Sequence, residues 1–140
     1  QFLKSRHSIG VFPEGTNPMV ELTAPDQISG FHRGFAHLAL RAPVEDLHIV
    51  PTAIIALEEK QRDTVPFRVL GWFDPSEPLF QQPGLHPAVI YQKVAVIVGK
   101  PIAIGDLRQQ YHGKTAGKAA MVLTDTCHTA VASLLKGGCY

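Results

Sequence analysis

Apolar residues fall along this chain in short blocks separated by proline, glycine and small polar residues, the pattern of strands alternating with helices. Ser8 to Phe12 reads as a short strand stopped by Pro13. Asn17 to Gly30 holds two prolines and several turn formers and reads as a loop. Gly34 to Arg41 carries Phe35, Leu38 and Ala39 at helical spacing, and Pro43 ends that helix. His48 to Leu57 is almost continuously apolar, as a strand buried on both faces requires. Phe67 to Phe73 reads as a third strand. Trp72 to Pro87 contains Pro75, Pro78, Pro83 and Pro87 and is expected to be irregular. Val89 to Val98 is the longest strand candidate, closed by Gly99-Lys100-Pro101. The last element, Thr115 to Lys136, aligns Ala120, Leu123, Cys127, Ala130, Val131 and Leu134 on one helical face. Thr115 suits its N-terminal cap, Lys136 the negative end of its dipole, and Gly137-Gly138 its stop.

Strands interleaved with helices predict an α/β fold: a mixed, largely buried sheet with flanking helices. A chain of 140 residues suffices for one domain with one core, and neither an internal repeat nor a low-complexity tract interrupts it. The 13 Lys and Arg are scattered and nearly balanced by 12 Asp and Glu, which argues against a nucleic-acid surface. No stretch approaches the roughly 18 consecutive apolar residues of a membrane span. Cys127 and Cys139 are too few for a disulfide framework or a zinc site and read as reduced thiols of a cytosolic protein. The opening Gln1-Phe2-Leu3-Lys4 has neither an initiator Met nor a signal pattern, so the chain is expected to be a piece of a longer protein.

The stretch richest in chemistry is Val11-Phe12-Pro13-Glu14-Gly15-Thr16, an apolar strand end delivering polar groups to a sheet rim, where α/β proteins bind ligands. Gly30-Phe31-His32-Arg33-Gly34 follows at the start of the first helix. Ile49-Val50-Pro51-Thr52-Ala53-Ile54 comes next, and Gly99-Lys100-Pro101-Ile102 lies after the long strand. This ordered set, over roughly residues 5 to 105, resembles the glycerolipid acyltransferases, the family of 1-acylglycerol-3-phosphate acyltransferase. The resemblance implies the C-terminal portion of that fold. It makes residues 1–140 a single partial domain, with an acceptor-loop part at 8–57 and C-terminal strands and helix at 65–136.

The implied activity is transfer of a fatty acyl group from acyl-CoA or acyl-carrier protein to a lysophosphatidate-type glycerolipid hydroxyl in phospholipid synthesis. It needs no cofactor and no metal. The implied partners are that donor, a lysophospholipid acceptor and a membrane surface, with a cytoplasmic location, peripheral at the inner face of a membrane. The reaction needs a base for the hydroxyl and a site to orient it. The family's base is the His of a His-x-x-x-x-Asp motif, and none of the chain's seven histidines has that Asp. No catalytic residue is therefore assigned, and the chain alone is expected to be inactive. What the resemblance assigns is acceptor binding by Glu14, Gly15, Thr16, Asn17 and Arg33, and an acyl-donor contact at Pro51 and Thr52. Asn17 stands where the family has Arg, a residue suited to bidentate phosphate recognition, so Arg33 or Lys4 must supply that charge or the acceptor differs. Glu14, which would repel a phosphate, is expected to pair with Arg33 or His32 and fix the loop.

Blander readings stand beside these. Without the ordered set, Pro13 to Thr16 is an ordinary strand-to-loop turn, and Pro51 merely a structural proline. His37 is expected to be a surface or half-buried helix residue, and its spacing from His32 does not suit shared metal ligation. Gly113-Lys114-Thr115 partly resembles a nucleotide-binding P-loop but has Arg108 where the motif needs its first Gly. Trp72, Phe73, Leu79 and Phe80 suit a lipid interface, yet packing against the core is the favoured expectation. The alternative to an enzyme is a non-catalytic lipid-binding or regulatory domain of the same fold.

Overall fold

The computed structural model describes residues 7–15, 28–76, 78–81, 83–111 and 115–137. Among them the fold is mixed α/β, with four helices and small antiparallel sheets. The elements are α1 (Gly34–Arg41), β1 (His48–Ile49), β2 (Thr52–Pro66), α2 (Phe67–Phe73), a 3₁₀ turn (Pro78–Gln81), β3 (Leu85–Val98), β4 (Ile102–Ala103), α3 (Ile104–Gln110) and α4 (Ala116–Gly137). They form two compact units, Gln1–Ala53 with Val96–Tyr140, and Ile54–Ala95.

The first unit holds the main core. Ala36 and Ala39 of α1 pack with Ile104 of α3 and with Ala120, Leu123 and Cys127 of α4, while Phe31, Phe35, Leu40 and Leu47 close its margin. The small alanines let helix backbones approach, and Leu123 and Ile104 fill the centre as its largest fully buried side chains. Thr124 is buried on the same helix and satisfies its hydroxyl by donating to the Ala120 carbonyl at 2.7 Å. β1 pairs with β4 antiparallel, His48 opposite Ala103 and Ile49 opposite Ile102.

Arg108 of α3 ties these elements together. A helix ends with carbonyls that lack an intrahelical donor. At the end of α1, Ala42 N–H donates to Leu38 O at 2.9 Å, and Arg108 reaches the carbonyls of Ala39 and Leu40. Its guanidinium donates to the carbonyls of Ala39, Leu40, Ala42 and Val44. The planar fork matches this cluster of oxygens, and its charge sits at the negative end of the α1 dipole.

The second unit contains most of the β2–β3 ribbon with α2 and the 3₁₀ turn at its connection. Phe67 and Phe80 rings lie 6.4 Å apart. Gly71 admits the Phe80 carbonyl, 3.3 Å from where a β-carbon would stand.

Several expected elements differ. Residues 8–12 are not a strand: among the described residues no neighbour pairs with them, and Phe12 is 81% exposed. The strand expected over His48 to Leu57 is two strands with different partners. Pro51 has no N–H to donate, and its carbonyl instead accepts from Gly99 N–H at 2.8 Å where the chain changes partner. Phe67 to Phe73 is a helix, with Phe67 and Gly71 on the side that meets Phe80 of the 3₁₀ turn. Trp72 and Phe73, expected to pack against the core, are each 84% exposed, whereas Phe80 is partly covered. The expected irregular stretch from Trp72 to Pro87 contains that turn and the start of β3. The sheet is also not largely buried, since Ile54, Leu57, Val94, Val96 and Val98 are exposed in two-stranded sheets. The helix expected at Gly34 to Arg41 is observed with those bounds, and the last helix begins at Ala116, directly after Thr115.

Candidate functional site

The candidate acceptor loop begins with a turn. Gly15 N–H donates to Phe12 O at 3.2 Å, with Pro13 in the second position and Gly15 in the fourth, as such turns prefer. Gly15 has φ +64, the left-handed region, and a β-carbon there would lie 3.2 Å from the His32 ring. The conformation favours glycine, and an added β-carbon would also press on the exposed His32 ring.

The entrance of the loop is clasped to its exit. His32 N–H donates to Pro13 O at 2.8 Å. The Glu14 carboxylate accepts from Ser29 N–H at 2.9 Å, a charge-assisted bond across fifteen residues of chain. The expected pairing of Glu14 with the Arg33 or His32 side chain is not observed, and its partner is the Ser29 backbone amide instead. An amide held at the exit offers a fixed donor, whereas Arg33 extends into solvent from an exposed position. Thr16 and Asn17 lie outside the described residues, as does Lys4.

Arg33 occupies the cap position of α1. Neither a side-chain cap nor an acidic residue in the first turn neutralises that helix end. His32, Arg33 and the positive end of the α1 dipole therefore gather beside the clasp. Ser29 is only 8% exposed, and its hydroxyl is buried without a hydrogen-bond partner. Sequence reasoning missed Ser29, because nothing local marks a residue whose partner lies fifteen positions away.

Pro51 and Thr52 belong to a different feature. Pro51 is buried at the strand switch, and exposed Thr52 directs its hydroxyl to Val50 O at 3.4 Å. His37 is half-buried on α1, and His48 Nδ1 lies 2.8 Å from Asp46 O. His128 meets the Phe31 ring edge-on with centroids 5.0 Å apart, which braces α4 against the segment entering α1. Beside it, burial pushes the Cys127 thiol up from 9.0 to about 11, so that thiol stays protonated and poorly nucleophilic near neutrality. No helix among the described residues is long and apolar enough to cross a membrane. Compared with family models, curated proteins and solved structures, the chain finds no match in any of the three.

Proposed function

We infer that this chain forms the acceptor-binding part of a glycerolipid acyltransferase, one that moves a fatty acyl group from acyl-CoA or acyl-carrier protein to a lysophosphatidate-type hydroxyl. The observation that carries the reading is the clasped loop mouth, in which Glu14 and Pro13 hold Ser29 and His32. It falls on the two sequence blocks in which the resemblance is densest. In this reading Glu14 is a positioning residue that keeps its charge away from the acceptor phosphate by spending it on the Ser29 amide. The phosphate is met by Arg33 and by the uncapped start of α1, where backbone N–H groups and the dipole favour an anion. Arg33 thereby supplies the charge that Asn17 lacks. Pro51 and Thr52 remain proposed donor contacts, although the buried position of Pro51 at the strand switch gives it a structural task as well.

The base that deprotonates the acceptor is not among these 140 residues, since no His-x-x-x-x-Asp occurs. The same absence favours the second reading, a lipid-binding or regulatory domain without catalysis. The test joins this chain to a His-x-x-x-x-Asp segment of the family and measures acyl transfer to lysophosphatidate. Glu14→Gln is expected to lower kcat/KM about 10-fold, because a neutral acceptor weakens the clasp by roughly half a charge-assisted bond. Unchanged turnover and acceptor KM in that variant would remove Glu14 from the site. Absence of any transfer together with tight lipid binding would favour the second reading.

A further inference from the structure

Among the described residues two polar side chains are buried, Ser29 and Thr124, and the fold satisfies only one of them. Thr124 donates to the Ala120 carbonyl at 2.7 Å, whereas the Ser29 hydroxyl has no hydrogen-bond partner. A buried donor left unmet is costly, so for stability alone alanine would serve better at this position. Burial also limits what the hydroxyl can reach. Ser29 is 8% exposed and its oxygen is covered, so a bound ligand does not touch it and its partner must come from the chain. The group already bonded to Ser29 is Glu14, whose carboxylate accepts from the Ser29 amide at 2.9 Å. Another serine shows what this pair lacks. Ser76 grips Asp74 with both of its donors, the amide at 3.1 Å and the hydroxyl at 2.6 Å from the same carboxylate oxygen. At Ser29 the amide bond is made and the hydroxyl bond is not.

We propose that the Ser29 hydroxyl is a second, reserve donor to Glu14, engaged when an anion binds beside the clasp. The anion rests on the function proposed above, which places a phosphate at Arg33 and the start of α1; the reserve donor rests on its own burial and lack of a partner. Rotation about one side-chain bond carries a serine oxygen between staggered wells, so the new bond needs no backbone movement. Desolvation and charge drive it. The Glu14 carboxylate is half-buried and bonded to the chain through one oxygen, so solvent serves the rest of it in the free protein. A ligand seated beside the clasp takes that solvent away and brings a like charge near the carboxylate. The carboxylate then gains most from another donor, and hydroxyl-to-carboxylate bonds are among the short, strong ones. A bond that forms only with the anion bound adds to the anion's affinity. Ser29 acts through Glu14 and is therefore a positioning residue.

The test sets stability without ligand against affinity. Ser29→Ala removes a hydroxyl that the free protein leaves unmet, so its melting temperature is expected to rise by about 3 °C. The same variant is expected to bind lysophosphatidate about 10-fold more weakly in calorimetric titration, the worth of one charge-assisted bond. On a Glu14→Gln background, Ser29→Ala should then cost less than about 2-fold, because the two side chains act on each other. A fall in melting temperature without ligand would show the hydroxyl already bonded and overturn the proposal. So would an unchanged affinity, or an equal loss with and without Glu14→Gln. Inorganic phosphate as a second titrant separates this inference from the proposed function. Phosphate bound as tightly as lysophosphatidate, with the Ser29 dependence, would keep the inference and remove the lysophospholipid acceptor. Preference for lysophosphatidate without that dependence would do the reverse, and binding of neither would remove both.

Discussion

Arg108 carries more of the first unit than any other polar side chain described. Four carbonyls in and just after the last turn of α1 accept from it, and Ala42 O alone is given a second donor, the Val44 N–H at 2.9 Å. Arg108→Ala is expected to lower the unfolding free energy by about 3 kcal/mol, since bonds to a charged donor are worth more than neutral ones and orphaned carbonyls add their desolvation cost. Arg108→Lys should recover less than half, because a point charge cannot reproduce the fork. Urea unfolding decides this, and a change below about 0.5 kcal/mol for the Ala variant would refute the role. Cys127 gives a second test at this scale. Its thiol pKa is raised in the fold, so the folded state holds a proton that the unfolded state releases more readily. The stability it contributes is full below pH 9.0 and is lost as pH rises toward about 11. Cys127→Ala should flatten that part of the stability profile, and an unaltered slope would contradict the assignment. Neither residue's role was legible in sequence: Arg108 acts across more than sixty residues, and Cys127 was readable as a helix-face residue but not as a perturbed thiol.

The elements divide by how local their causes are. α1 was legible because Phe35, Leu38 and Ala39 set a helical period and Pro43 stops it. α4 was legible for the same reason, its buried Ala120, Leu123 and Cys127 lying on the face expected. The strand at His48 was not, because the apolar run hides Pro51, whose missing N–H decides where the ladder breaks. Phe67 to Phe73 misled through its aromatic and branched residues, whose strand preference yields to packing against a turn ten residues on. The packing of α1 on α4 is testable at Leu123, which is fully buried in the core cluster. Leu123→Ala should cost about 3–4 kcal/mol. The melting temperature would then fall by roughly 10 °C. A fall of less than about 3 °C would mean that the helices do not close over it as described.

At the scale of the molecule, the α/β class was legible and the arrangement was not. Alternating blocks mark the class, whereas the division into two units depends on which strands choose each other. The candidate site was half legible. Glu14, Gly15 and Arg33 were marked by their blocks, and the structure adds Ser29 and His32 as the groups that Glu14, Pro13 and Gly15 meet. The clasp explains why Glu and Gly stand there: one closes the loop with charge, the other permits its turn. The central claim is that this closed mouth, with Arg33 beside it, receives a phosphorylated glycerolipid. Calorimetric titration with lysophosphatidate below its micelle concentration tests it most directly, with an uncharged monoacylglycerol as the comparison. The account predicts saturable binding of lysophosphatidate, at least about 10-fold stronger than that of the neutral lipid and lost in Arg33→Glu, as a phosphate contact worth over 1.4 kcal/mol requires. Equal affinity for the two lipids, or binding unaffected by Arg33→Glu, would contradict it.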